Sequence, residues 1–596
     1  MLWAYRLPDL FKLIILKRSN NLSILSKFMK QYSARIVLMF TLLLLQALGT
    51  LLIPTLMSDI VNNGIFEGDI LYIRKASAMM LVTAVAVVGI AIAHIYLSSD
   101  ISARIGWDVR NSIFKKTQTL SLYEFNKFGT ASMITRSTSD VMQMQTAFST
   151  IIEMLLPAPF MMLAGLLLTF AKDRMLAFTI IGVMVVILLL ALLLSKKAIP
   201  MFGGLLKLMD KMNHSVLEKI AGVRVIRAFN RVEDEKESLN RTFIDYGRMG
   251  IKINRLFAIL MPMITLIMNF CTLLIIGVGD MRITTVNMQI GDLYAIMEYA
   301  ILTLTYLVMG LSAIVYIPRL NISSRRIGEV LDTMPAIAET LPNSHDILTT
   351  SEIEFRNVTF NYDQAENPVL SNISFTMRKG QTTAIIGSTG SGKSTLLNLL
   401  MRFYEPLSGE ILLDGKDIRE LSAYDYRKAI GYVPQKAFLF SGTIEDNLHH
   451  GNENATEEEL QSALKTAQLG AFISSLEDGL MTTVSQGGAN FSGGQKQRLA
   501  IARAIVRKPS VYVFDDSFSA LDYKTDAKLR SELKKETKDA VVLIVAQRVS
   551  TIMDAEQIIV LEEGRIVGIG THSELLKSCI AYAQIAKSQM NQEELA

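Results

Sequence analysis

Nine consecutive residues, Gly387-Ser388-Thr389-Gly390-Ser391-Gly392-Lys393-Ser394-Thr395, have the types and order needed to hold a polyphosphate. They match GxxxxGK[ST]. Glycines let backbone amides curl around phosphate oxygens, and a helix starting at the end of the loop adds a favourable dipole. Lys393 can neutralise the β and γ phosphates, and Ser394 offers an oxygen to magnesium. The context fits: Thr383 to Ile386 reads as a strand before the loop, and Ser394 to Leu400 as a helix after it. A second magnesium contact is expected from an acid at the end of an apolar strand, and Val511 to Phe514 followed by Asp515 provides one. ATP with Mg2+ is the expected cofactor.

The elements that must position this loop are of two kinds. The 596-residue chain is too long for one core, and half of it is hydrophobic, with a mean hydropathy of +0.32. This points to a membrane protein of at least two domains. A helix crossing the hydrocarbon needs roughly 20 mainly apolar residues. The sequence supplies six such runs: Ile36 to Ser58, Ala76 to Ser98, Met154 to Ala171, Met175 to Ser195, Leu256 to Gly279 and Leu293 to Ile317. The third is expected to begin earlier, around Val141. Lys and Arg number seven before the first run, six between the second and third, and thirteen between the fourth and fifth; the other three connections carry two, two and one. Basic residues mark the cytoplasmic side, so the N-terminus, the two long connections and everything after the sixth run are expected there. The long connections are rich in helix formers, which predicts helices extending out of the membrane and closed by short turns.

A net charge of +4 gives no case for nucleic acid. The two cysteines, Cys271 and Cys579, are too few and too far apart for a disulfide framework or a zinc site and read as structural thiols. Leu7 to Tyr32 mixes apolar and basic residues and suits a helix in the membrane interface, or else a plain cytoplasmic lead-in. Glu298, an acid inside the sixth run, is a candidate for the substrate path; a water-facing place near the outer end of the span is the alternative. Met-rich spans suit either an adaptable substrate wall or ordinary packing.

After Pro318 the apolar runs stop, and alternation begins at Ile353, Phe355, Val358 and Phe360, as in a half-buried strand. Strand-like and helical stretches then alternate to the end, which predicts an α/β domain. The expected organisation is a cytoplasmic or interfacial segment over 1–35, six membrane helices with long cytoplasmic extensions over 36–320, a linker over 321–340, and a nucleotide-binding domain over 341–596.

Between the phosphate loop and Asp515 lies Phe491-Ser492-Gly493-Gly494-Gln495, followed by a basic helical run from Lys496 to Arg507. This resembles the signature of ATP-binding cassette (ABC) proteins, usually LSGGQ, with Phe in first place. The segment Ser519-Ala520-Leu521-Asp522 and Gln435 after Tyr432-Val433-Pro434 strengthen the resemblance. Six spans with one such P-loop cassette resemble a half-transporter of the type IV exporter fold. In that family two cassettes pack head to tail, and each ATP lies between one chain's phosphate loop and the other chain's signature. The resemblance implies that Tyr362 stacks on adenine, that Gln435 touches magnesium and senses the membrane domain, and that Ser492 and Gly494 bind the partner's γ phosphate. It also makes Ser121 to Phe128 and Asp210 to Gly222 similar to the coupling helices that seat on cassettes.

The pattern breaks at two positions. Where the family has a Glu that activates or orients the attacking water, this chain has Asp516, and where it has a His that reaches the γ phosphate, this chain has Gln547. Ser485-Gln486-Gly487-Gly488 is a weaker departure upstream of the signature. The side chain of Asp516 is shorter by one bond, ~1.5 Å, and misplacement by about 1 Å can cost on the order of a hundredfold in rate. Gln cannot change charge near neutral pH as His can. The expectation is a site that binds ATP tightly and turns it over slowly, beside an intact signature. This resembles the degenerate-site subunit of heterodimeric bacterial multidrug exporters in the plasma membrane, with small lipophilic substrates. The alternatives are an ATP-gated regulatory or channel-like protein with little hydrolysis, and a homodimeric lipid or peptide exporter.

Overall fold

The structure is a computed structural model that describes residues 23–286, 288–337, 350–362 and 365–589. The interfacial reading of Leu7 to Tyr32 lies outside the described residues as far as residue 22, and so does the domain boundary expected near 340. By their contacts the residues form two units, Met1–Gln118 with Gly129–Thr333, and Thr119–Phe128 with Met334–Ala596.

The first unit holds six helical runs apolar enough to cross a membrane: Ser33–Ile65, Ile70–Thr119, Thr130–Lys172, Arg174–Ala221, Val232–Thr284 and Ile290–Leu331. The second is 50 residues long, about 75 Å at 1.5 Å per residue, so well over half of it lies beyond a hydrocarbon core of ~30 Å. The basic connections are thus continuous with the spans. Between the third and fourth runs only Asp173 is non-helical. Its carboxylate accepts from the amides of Met175 and Leu176 at 2.8 and 3.0 Å and so caps the next helix. It also meets Arg282 at 2.7 Å.

Spans four, five and six share a core of Leu176, Ile180, Ile187, Cys271, Ile275, Ile296, Ala300 and Leu304. Small residues allow close approach: a Cβ on Gly165 would lie 2.2 Å from Thr303 Oγ1. Tyr299, fully buried, shares a 2.6 Å hydrogen bond with Thr55 of the first span. Lys172 pairs with Asp292, which also accepts from Ser58 at 3.0 Å. Cys271 is buried in this core, as a structural thiol would be.

The connector read from 321 onward is helical as far as Leu331, in the helix Tyr316–Leu331. Leu320, Ser323, Ile327 and Val330 recur on one face and are buried, with Ser323 donating to Asp140 at 3.2 Å, while Glu329 on the other face pairs with Arg136 at 3.0 Å. The stretch reads as polar in a linear scan, yet at a period of 3.6 it is amphipathic.

The second unit is the α/β domain. Its strands are β1 (Glu352–Phe360), β2 (Leu370–Arg378), β3 (Thr382–Gly387), β4 (Ser408–Leu413), β5 (Lys416–Asp417), β6 (Ile430–Val433), β7 (Gly442–Thr443), β8 (Thr483–Val484), β9 (Val511–Asp515), β10 (Val541–Val545), β11 (Gln557–Glu562) and β12 (Arg565–Gly570). A six-stranded sheet runs β12-β11-β3-β10-β9-β6, parallel except for β12; an antiparallel sheet runs β2-β1-β4-β5. The alternation in β1 skips from Phe355 to Val358, and the strand has a register shift there, with Asn357 at φ 49°. The bulge returns Val358 and Phe360 to the buried face. Phe355 stacks on Phe375 at 4.6 Å between centroids. Leu396, Leu397, Leu399 and Leu400 of the helix Lys393–Leu400 fill the same core. The short helix Leu122–Phe128 belongs to this unit, where Glu124 accepts from the Ala336 amide at 2.9 Å.

Candidate nucleotide site

The loop after β3 leaves the sheet between two parallel neighbours, β10 and β11. Ligands of open α/β sheets bind beyond such carboxyl ends. Gly390 and Gly392 have φ of 85° and 101°, a region that side chains other than Gly enter at a cost. Gly387 is required for a different reason: a Cβ there would lie 2.2 Å from the Leu561 carbonyl oxygen. The loop is therefore set by backbone proximity as well as by turn geometry. Gly387→Ala should weaken ATP binding at least tenfold with the rest of the domain intact, read by titration with a fluorescent ATP analogue and checked by thermal melting. An unchanged affinity would mean that the loop can move off β11 freely.

Lys393 begins the helix, and its ammonium donates to the carbonyls of Gly387 and Ser388 at 2.8 and 2.7 Å. Burial pushes its pKa below the ordinary value, and nearby Asp516 and Asp515 pull it back. Anionic phosphate oxygens would favour the charged ammonium in the same way. Ser394 is exposed at the helix start, Thr395 is buried, and Ser388, Thr389 and Ser391 complete the loop. Tyr362 stands beside it, its hydroxyl 3.2 Å from Thr395 Oγ1 and its ring edge-on to Tyr404 at 5.4 Å.

Asp515 ends β9. Burial holds its carboxyl above the usual range; the Tyr432 hydroxyl, donating at 3.3 Å, opposes this, and Asp516 adds to it. A carboxylate whose charged form burial disfavours is a group that a divalent cation would stabilise. Ser394, Asp515 and Gln435 offer hydroxyl, carboxylate and amide oxygens, the hard donors magnesium prefers. Among the described residues no cluster of three His, Cys, Asp or Glu could hold a metal.

Asp516 is held in an unusual way. Its φ is 46°, its amide donates to Val545 O at 2.8 Å, and its carboxylate accepts from Gln435 Nε2 at 3.1 Å. A non-glycine residue in this region stores strain and is common where function dictates geometry. Gln435 and Asp516, named separately from the sequence, therefore meet. Gln547 follows β10, whose Val545 pairs with Ile385 of β3, so it stands level with the start of the loop. Its side chain is exposed and has no partner among the described residues.

The segment Phe491–Gln495 forms a helix start. Phe491 is buried against Phe472, and Ser492 caps the helix Gly493–Val506 in a capping box, accepting from Gln495 N while Gln495 Oε1 accepts from Ser492 N. Gly494 packs near Ala520 O and Leu521 of the segment Ser519–Asp522. Ser492 and Gly493 are exposed, so the helix N-terminus faces outward. Among the described residues no hydrogen bond joins Phe491–Gln495 to the phosphate loop. Asp522 caps the helix Tyr523–Glu536 through Thr525 N at 3.0 Å. Sequence reasoning missed Gln497, which is buried and donates to Pro434 O at 3.0 Å, tying the signature helix to the Gln435 segment. Nothing in the linear pattern marks it. Glu298 lies in the other unit, half-buried on the helix Ile290–Ala313, without a hydrogen-bond or ion-pair partner among the described residues.

Six membrane-spanning runs and a phosphate-loop domain with a capped, outward-facing signature helix define an ATP-using membrane protein. Residues 36–307 match the ABC transporter transmembrane region, and residues 370–519 match the ABC transporter model. An uncharacterized ABC transporter ATP-binding protein of Mycobacterium tuberculosis (strain CDC 1551 / Oshkosh) is 37% identical over 574 residues, 95% of this chain and 98% of the relative. A provisionally named export ATP-binding/permease protein of Rickettsia typhi is 29% identical, with the same two shares covered. A solved bacterial Atm1-family ABC exporter with ATP bound has a TM-score of 0.78 and 24% identity, covering 94% of this chain and 99% of the other. This chain belongs to the ABC transporter family. It is a multi-pass membrane protein with the fused membrane and ATPase domains of a half-transporter, in the fold of that exporter, and its ATPase domain implies ATP with Mg2+.

Proposed function

We propose that this chain is one half of a heterodimeric exporter of lipophilic compounds in the plasma membrane, holding ATP at a slow site of its own and completing the partner's working site with its signature. The observation that carries the reading is the pairing of Asp516 and Gln547 at one phosphate loop beside an intact signature helix. A homodimer would contain two impaired sites, and a general base is typically worth ~10²- to 10⁴-fold. Export is supported by the Atm1-type fold and by the name of the Rickettsia typhi relative. The distribution of Lys and Arg supports a cytoplasmic N-terminus and ATPase domain.

ATP, when bound, supplies the free energy and draws the two cassettes together. In this chain Gly387 to Thr395 cradle the phosphates, Lys393 neutralises them, Tyr362 takes the adenine, and Ser394, Gln435 and Asp515 hold the magnesium. Ser492 and Gly494 present a hydroxyl, amides and a helix N-terminus to the partner's nucleotide, flanked by Phe491, Gly493 and Gln495. Ser519 to Asp522 line the seam. The long helices of the membrane unit carry the closure toward an outward-facing state. Glu298 is a candidate contact on the substrate path. Reading the site as slow gives a direct expectation. The chain purified alone should bind ATP and hydrolyse it at least tenfold more slowly than the same chain co-purified with a homologous partner. Fast turnover by the lone chain removes the slow-site reading, efflux by it alone removes the heterodimer, and substrate flux sustained by a non-hydrolysable analogue favours the channel-like alternative.

A further inference from the structure

The segment carrying Gln547 is clamped from behind by the last described helix, Ile580–Gln589. The Gln589 amide makes two hydrogen bonds to one stretch of backbone: Nε2 donates to Gln547 O at 2.8 Å, and Oε1 accepts from Val549 N at 2.8 Å. One side-chain amide thus imitates a strand, pairing with the extended link at Arg548, whose φ and ψ are −102° and 128°. The helix that carries Gln589 is itself fixed. Tyr582 and Ala586 are buried in one core with Ala546, Val549 and Ile552 from the switch side and with Ala384 and Ile386 from β3. His572 Nδ1 lies 2.7 Å from the Tyr582 hydroxyl and closes the preceding turn. On the other side Arg548 reaches Ser519 O at 3.4 Å. The link leads directly to the phosphate loop, because Ala546 N donates to Ile385 O at 3.1 Å, two residues before Gly387.

We propose that Gln589 is a positioning residue for nucleotide recognition: it fixes the backbone on both sides of Arg548, so that the Gln547 side chain is held toward the position of the γ phosphate. This rests on the reading of Gln547 as the γ-phosphate switch position. The Gln547 side chain has no partner among the described residues, so its placement depends on its backbone. Only the share of these two neutral hydrogen bonds that differs between the free and the nucleotide-bound switch enters the affinity, and a share of about one bond corresponds to roughly three- to tenfold. The loss should fall on nucleotides with a γ phosphate only.

The test compares the affinities of the full-length detergent-solubilised chain for magnesium adenylyl imidodiphosphate and for MgADP. Gln589→Ala should weaken the triphosphate analogue three- to tenfold and change ADP by less than twofold. Gln589→Glu keeps the length and the acceptor for Val549 N but turns a donor at Gln547 O into a repelling oxygen; it should do the same or more. Adding Gln589→Ala to Gln547→Ala should cause no further loss, because both act through one side chain. Equal weakening of both nucleotides, additive losses, or no change in either variant would overturn the proposal. Thermal melting of each variant separates misfolding from misplacement. Because no hydrolysis is read, a negative result leaves the slow-site reading standing, and fast turnover by the chain leaves this test intact.

Discussion

Replacing Asp516 by Glu and Gln547 by His together should raise the ATP turnover of the full chain ten- to a hundredfold, measured as phosphate released per chain at saturating MgATP. The argument is one of reach and charge. Asp516 is anchored by its own amide on Val545 O and by Gln435 on its carboxylate, so the backbone is fixed and the side chain cannot advance to make up a missing methylene. Glu adds ~1.5 Å of reach, and displacements of about 1 Å can be worth a hundredfold when a water must be held in line. Gln547 is exposed and, among the described residues, bonds through its backbone alone, so an imidazole can replace its amide without loss of those contacts. Either change alone should give a smaller gain, and the pair should exceed the product of the singles because both groups act on one water and one phosphate. If the double variant is no faster than the parent, the two substitutions are not what limits this site, and the slow-site reading loses its carrying observation.

The sequence was most informative where chemistry or periodicity is local. The phosphate loop, with its strand and helix, is set by residues within a few positions of one another, and β3 and the helix Lys393–Leu400 lie where the pattern put them. The spans were visible as runs because lipid-facing residues stay apolar: only 6% of the second span's most apolar window is buried within the chain, a pattern that demands cover by lipid or another protein. The helical continuation to Leu331 was hidden because amphipathic helix reads as polar connector when hydropathy is averaged. Long-range polar ties were invisible. Gln497 reaches Pro434 across 63 residues and Gln589 reaches Gln547 across 42, and glutamine is so common on helix surfaces that its type carries no signal without the partner in view. The assignment of Thr119–Phe128 to the second unit was likewise beyond a linear reading. Asp516 lies between these cases, since its type is a departure visible in the sequence while its left-handed backbone is not.

Ser492→Asp in the chain co-expressed with a homologous half-transporter, as the proposed function requires, should abolish dye efflux and lower ATPase at least a hundredfold, whereas Asp516→Gln should change either by less than threefold. The choice of Asp at 492 separates folding from function. Asp is as good an N-cap as Ser, so the capping box with Gln495 and the helix Gly493–Val506 should survive. What changes is the charge at an outward-facing helix N-terminus, from a neutral donor to a carboxylate. If the partner's γ phosphate docks there, the two like charges meet as the cassettes close and water leaves, and such a juxtaposition costs several kcal/mol. A hundredfold loss needs only about 2.7 kcal/mol. Asp516 belongs to the chain's own phosphate-loop side, where the proposed function makes turnover slow, so removing its charge should take little away. The asymmetry between the two variants is therefore a direct readout of which loop powers transport. Equal losses would show that this chain's own site hydrolyses ATP in every cycle, and tolerance of Asp at 492 would mean that the signature helix never meets a phosphate.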